Sequence, residues 1–251
     1  MNSILNKINT YPTAAKILFA YLVICHLLTI WFLFNISYLS IFVAVTFWFL
    51  GGSLGMAIGF HRHLGHTLDL SPKFSKFFIW CGVHAMTGPP ISWVAIHREH
   101  HRYSDTEHDP HGPEHKGKLW VQLCSMFHKP NIKYTKDLLR NSYLIKWQRY
   151  YFLYHLMLLI IASALTFTTG NVIWLAFHAV PAVLVWHTGS LVNSLGHNKA
   201  GAKDSHMIAL LSWGEGYHKQ HHINNKEHVF FSKKSPFDIS GLIIKSIKNV
   251  K

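Results

Sequence analysis

Three short stretches concentrate the side chains able to do chemistry: His61-Arg62-His63-Leu64-Gly65-His66, His97-Arg98-Glu99-His100-His101 and His218-Lys219-Gln220-His221-His222. Histidine accounts for 21 of the 251 residues, and neutral imidazole is the commonest protein ligand for transition metals. The last two stretches share the pattern HxxHH. Residues three and four apart lie on one helix face, so the three histidines of each pattern point within about 60° of one direction, straddling it. Adjacent rings then aim at two different points, which suits a pair of metal ions to which each HxxHH stretch contributes on both sides. A structural zinc site closes with four ligands, whereas three clusters offer eight or more, and that surplus also argues for two metals. His61 and His66 are spaced by five, about 140° apart on an ideal helix. A bend or unwinding is needed there, and Gly65 permits one. Soluble di-iron bundles use Glu and Glu-x-x-His ligands; with 11 Asp and Glu in all, an iron pair here would be held mainly by neutral nitrogen. A histidine-rich face that buffers or passes metal ions is the simpler alternative.

The elements that position these clusters are legible from where charge is missing. Only 14% of residues are charged, against about 25% in soluble domains, and none lies between Ile17 and Phe60 or between Tyr151 and His197. That layout excludes an ordinary soluble globule, and 49% hydrophobic with 14% aromatic residues excludes disorder. A helix crosses the bilayer core with about 20 apolar residues, so each charge-free block reads as a transmembrane hairpin. The spans fall at about 17–34 and 40–60, then 152–167 and 172–192, with turns at Asn35-Ile36-Ser37 and at Thr168-Thr169-Gly170-Asn171. The first span reads as uncleaved, because it is too long for a signal segment and no small-residue cleavage site follows. All Lys and Arg then fall on one side, which the positive-inside rule makes cytoplasmic, together with both termini and the clusters. The expected fold is one all-α integral membrane domain over 1–251: four transmembrane helices in two hairpins, with a helical cytoplasmic cap (61–150 and 198–251) holding the dimetal site. The stretch Phe77 to Thr87 is too short to cross and ends at Gly88-Pro89-Pro90, so it is expected to lie in the interface and turn the chain toward the clusters. Cys25, Cys81 and Cys124 lack CxxC spacing and read as core residues. The net charge of +13 needs no nucleic acid to explain it.

The order HRHLGH, HREHHRYSDTEHDPHG and GEGYHKQHH, with NSLGH at Asn193 to His197, WVAIH before the second cluster and PFD near the C-terminus, resembles the membrane fatty acyl desaturases of the stearoyl (Δ9) type. The likeness runs from about Ser53 to Asp238. It implies two iron ions held by His61, His66, His97, His100, His101, His197, His218, His221 and His222, with Asn193 completing the site through a water. His63 is not a ligand position in that pattern. The resemblance also implies that O2 and two electrons supply the oxidant for removing two hydrogens from neighbouring carbons of a fatty acyl chain, giving a cis double bond and water. The substrate would be an acyl-CoA, an acyl carrier or an acyl-lipid. No cytochrome b5 haem domain is expected within these 251 residues, so the electron donor would be a separate ferredoxin or cytochrome b5, and a basic cap suits either acidic partner. Animal acyl-CoA desaturases carry an Arg-Asp pair where this chain has Ala95-Ile96, which removes two polar contacts expected for a CoA headgroup. Lys116, Lys118, Lys129, Lys133 and Arg140 could meet a substrate phosphate or anionic lipid. Glu99, Asp105, Asp109 and Glu215 are expected to accept the free ring N–H of ligating histidines. Within the spans, His26, His155, His178 and His187 read as structural. His108, His111, His115, His128, His206 and His228 read as cap or surface residues, with His108-Asp109-Pro110-His111 close to the site. Val45 and Phe49 are candidates for the floor of a substrate tunnel. A related di-iron hydroxylase or ketolase acting on lipid, alkane or carotenoid would carry similar clusters. A non-enzymatic metal-handling membrane protein would need polar residues along its spans, whereas these are almost wholly apolar.

Overall fold

The computed structural model describes residues 13–248; expectations about 1–12 and 249–251 fall outside the described residues. Four helices are long and apolar enough to cross a membrane. The first is α1, Thr13–Leu33. A capping box between Ser37 and Ser40 starts α2, Tyr38–Phe49, which runs without a break into a π-helical segment, Leu50–Gly65. Between them they form the second span.

Charge-free sequence marks where lipid is expected, and helices need not stop there. The third long helix therefore begins at Ser142, through Lys146 and Arg149, well before the expected 152: the Asn141 side chain accepts from the amides of Tyr143 and Leu144. It runs to Thr169 and ends at Gly170 in the left-handed conformation. The fourth long helix has a short first part, Ile173–Ala176, and a main part, Ala179–Leu195. In chain order after the second span, α3 is Pro72–His84 and α4 is Pro90–Tyr103. Next come α5, Lys118–Cys124, α6, Ser142–Thr169, α7, Ile173–Ala176, and α8, Ala179–Leu195. Beyond α8 lie a two-stranded ribbon pairing His197 with Ala202, then α9, His218–Ile223, and α10, Ile239–Lys248.

The π-winding is the feature that the 3.6-residue reading of the sequence missed. Its i→i+5 bonds bring residues five apart closer to one face than an α-helix does, and the His66 amide donates to the His61 carbonyl at 3.0 Å. The required realignment of His61 and His66 is therefore spread along a whole segment instead of being a bend at Gly65. The same segment lets α3 approach backbone to backbone: a β-carbon on Gly55 would lie 2.3 Å from the Gly82 nitrogen, and one on Gly59 2.5 Å from the Phe78 carbonyl oxygen. Phe77 to Thr87, expected at the interface, is thus mostly helix pressed against the second span, with Ile79, Cys81, Gly82 and Val83 buried. A tight turn with Met86 and Gly88 at positive φ reverses the chain. The Gly88 amide then donates to the Tyr151 hydroxyl, and the Gln148 side-chain oxygen accepts from the amides of Ile91 and Ser92. These contacts bind the start of α4 to α6, and α4 carries the second histidine cluster back toward the first.

The histidines inside the spans are paired. His26 meets His187 at 2.9 Å, and His155 meets His178 at 3.2 Å, with the Tyr21 hydroxyl also against His178.

Candidate metal centre

Nine histidines from α4, α9, the π-helical segment with the His66 that follows it, and the ribbon converge as two groups. His61, His66, His97, His101 and His221 each place a ring nitrogen within 4.8 Å of the others, and so do His100, His197, His218 and His222. Each HxxHH stretch is divided: α4 gives His97 and His101 to the first group and His100 to the second, and α9 gives His221 to the first and His218 with His222 to the second. His197, which no cluster spacing reveals, joins the second group from the ribbon. His63 joins neither. Its Nδ1–H donates to the Leu68 carbonyl and its Nε2 accepts from the Ser75 hydroxyl, fastening the turn that follows the span.

Three carboxylates set the tautomers. A ring nitrogen facing a carboxylate must donate, which leaves the lone pair on the other nitrogen. His100 Nδ1 donates to Asp109 at 2.9 Å, His197 Nδ1 donates to Asp105 at 2.8 Å, and His61 Nδ1 donates to Glu215. Glu99, expected in the same role, instead binds His128 at 2.9 Å, because it projects from the side of α4 away from both groups. Burial, then neighbouring imidazoles, hold His97, His100, His218 and His221 well below the usual histidine value, and burial with His197 pushes His222 down to about 4. Burial opposes ionisation of Glu215, but His61 and Arg62 outweigh it and hold the carboxyl below its ordinary value.

The donor set fits metal ions. Nε2 atoms face one another at 2.7 to 3.0 Å in the first group (His66–His97, His101–His221, His61–His221) and at 2.9 to 3.2 Å in the second (His197–His218, His218–His222, His100–His222). In His61, His100 and His197 that atom carries a lone pair and no proton, so it is free to bind a cation. An edge of about 3.0 Å is the ligand spacing of a right-angled shell with metal–nitrogen bonds of about 2.1 Å; a closed tetrahedron would spread the nitrogens to about 3.4 Å at the same bond length.

A cavity of about 360 Å³ opens beside both groups, bordered by His61, His97 and His218. Trp93 stacks on His97 with ring centroids 5.1 Å apart and forms part of its wall. Met56, Val185, Trp186 and Gly189 supply an apolar part of the wall. Asn193 borders the same cavity, and so do His111 and His128, which sequence reasoning assigned to the cap or surface. His111 is 6% exposed and lies against His100, with centroids 4.4 Å apart. Val45 and Phe49 do not border the cavity. Val45 is 48% exposed and Phe49 packs near Met56 and Trp213, because a face projected back from His61 at 100° per residue loses its register where the winding changes at Leu50. Among the described residues lining the cavity there is no Lys or Arg.

A family profile described as fatty acid desaturase matches residues 39–228. The chain is 33% identical over 205 residues to the sn-1 stearoyl-lipid 9-desaturase of Anabaena variabilis, covering 75% of this chain and 73% of that protein. It is 32% identical over 217 residues to the acyl-CoA C20 Delta5-desaturase of Anemone leveillei, covering 78% and 67%. Identity to the sn-2 palmitoyl-lipid 9-desaturase of Nostoc sp. (strain 36) is also 32% over 217 residues, covering 78% and 73%.

Proposed function

The chain belongs to the fatty acid desaturase family, and on that premise we propose that it is an O2-dependent di-iron desaturase that places a cis double bond, at Δ9, in an acyl chain esterified to a membrane lipid. The observation that carries this reading is the pair of histidine groups with carboxylate-set tautomers along one side of an apolar cavity.

Removing hydrogen from an unactivated methylene is beyond any side-chain acid or base, so the bound iron pair with O2 would supply the oxidising power. The protein's part is positional. His61, His66, His97, His101 and His221 would hold one ion, and His100, His197, His218 and His222 the other, with Asn193 reaching the second through a water. Asp105, Asp109 and Glu215 keep the ligating nitrogens unprotonated and aimed. Trp93 and the wall formed by Met56, Val185 and Trp186 hold the acyl chain beside the histidines and keep bulk water out.

The lipid-linked substrate is favoured over CoA by a lining without Lys or Arg, by Ala95-Ile96, and by relatives named stearoyl-lipid and palmitoyl-lipid 9-desaturases. The spans would form two hairpins, with the metal centre and termini cytoplasmic under the positive-inside rule. A separate ferredoxin or cytochrome b5 would deliver electrons to the basic cap.

Expression in a host lacking its own unsaturated fatty acids tests the whole reading. Mass spectrometry of intact lipids should find a new monounsaturated chain with its double bond at C9, and a His221→Ala variant should give none. Hydroxylated or keto products would overturn the desaturase assignment in favour of oxygen transfer. Double bonds formed only on supplied acyl-CoA would overturn the carrier assignment.

A further inference from the structure

Arg62 sits at the end of the second span, where a long cation ordinarily extends to water. Here it turns inward and is 1% exposed. Burying a guanidinium costs free energy unless all its donors are met, and all five are. Nε and Nη2 donate to the same Glu215 oxygen at 3.1 and 3.0 Å, Nη2 also to Asp238 at 2.8 Å, and Nη1 to the His228 carbonyl at 2.9 Å and to Asp238 at 3.5 Å. The Phe230 ring lies 5.0 Å from the guanidinium carbon.

Asp238 is itself wholly buried. Its carboxylate accepts the amides of Phe230 and Gly241 at 2.6 and 2.9 Å. It lies where only glycines fit: a β-carbon on Gly214 or Gly241 would come within 2.2 or 2.0 Å of its oxygens. The effect on the metal centre runs through Glu215. Arg62 takes one Glu215 oxygen with two N–H groups, and the other oxygen is left facing His61 Nδ1. His61 then has to present Nε2, which stands 3.0 Å from His221 Nε2 in the five-histidine group. Two carboxylates around one guanidinium also leave one excess negative charge beside an all-nitrogen ligand set, which favours a cation there.

We propose that Asp238 and Arg62 are positioning residues for the metal held by His61, His66, His97, His101 and His221, acting through Glu215 and leaving the four-histidine position unaffected. The proposal rests on the metal-centre reading and is independent of whether the reaction is desaturation.

The test uses the full chain in detergent, stripped with chelator and titrated with Co(II), followed by the visible absorption of the bound ion and by metal analysis after dialysis. The wild type should bind two equivalents. Asp238→Asn should keep one tight equivalent and hold the other at least tenfold more weakly, the scale expected for loss of a group that orients a ligand. Asp109→Asn should weaken the other position instead. Should Asp238→Asn fail to fold, the Arg62→Met/Asp238→Leu double variant removes two of the three buried charges and leaves Glu215 with His61 alone, and it should show the same selective loss. Two tight equivalents in either folded variant, or equal weakening of both positions, would overturn the proposal. A wild-type chain that takes up no Co(II) would sink the metal reading with it.

Discussion

Replacing Gly189 by alanine should shorten the acyl chain that the cavity accepts. Gly189 borders the cavity on α8, eight residues before His197 and so about 12 Å away along the helix axis. A β-carbon there would lie 2.9 Å from the Met56 sulfur and 3.0 Å from its terminal methyl, about 0.5 to 1 Å inside ordinary contact. Met56 is flexible but is backed by Ala85, Val185 and Trp213, so its thioether yields toward the cavity. Losing the room of one methylene costs about 1–3 kcal/mol, or roughly 10- to 200-fold in the rate for the longest chain relative to one that still fits. The assay is competition between stearoyl and palmitoyl lipids in mixed vesicles, with the monounsaturated products separated by gas chromatography. Gly189→Ala should shift the product ratio toward the shorter chain, and in a Met56→Ala background the shift should vanish, because the two residues then no longer meet. Alanine is the better helix former by about 1 kcal/mol, so the variant should not melt earlier. A product ratio equal to wild type in a folded Gly189→Ala protein would refute the argument that this wall measures the chain.

Three further outcomes follow from the geometry. Gly55→Ala forces a methyl to 2.3 Å from the Gly82 nitrogen, where backbone cannot swing aside; it should cost about 1–3 kcal/mol, read as an earlier thermal transition, and an unchanged transition would contradict the close helix contact. Exhaustive chelation should abolish turnover, and Fe(II) should restore it in proportion to two bound equivalents; restoration complete at one equivalent would exclude a paired centre. In the stripped chain, burial lowers His222 to about 4 from an unfolded value of 6.5, so the unfolded chain takes up the proton first as the pH falls. Stability should be level above 6.5 and decline below it as the unfolded chain takes up protons that the buried rings do not, a trend that a pH series of melting curves in detergent checks and to which His222→Gln should remove one ring's share between 6.5 and about 4.

The gathering of the histidines was largely readable because imidazoles three and four apart must share a face whatever the rest of the chain does. The division of each HxxHH stretch between two points follows from the same angle. The cavity was not readable in that way. It depends on how the second span is wound, and the change to i→i+5 bonding at Leu50 moves Val45 and Phe49 away while bringing Met56 to the wall. Sequence offered a weak sign of this: Gly51, Gly52, Gly55, Gly59 and Gly65 crowd one stretch, and glycine marks close backbone approach. Glu99 shows a second limit, since a neighbour in sequence to His100 points off another side of the helix and meets His128. Arg62 shows a third. By charge alone it counts as one more cytoplasmic marker, and only the packing around Asp238 reveals an inward-facing residue.

The division of ligands along the chain also sets an order of assembly. The first group draws four of its five histidines from residues before the third span, but the second draws only His100 from there and waits for His197, His218 and His222. A nascent polypeptide emerging from the ribosome therefore carries a half-made chelate that nothing yet closes. Completion of the second position therefore waits until translation is nearly finished, so any filling of a pair of sites would follow synthesis of the C-terminal segment.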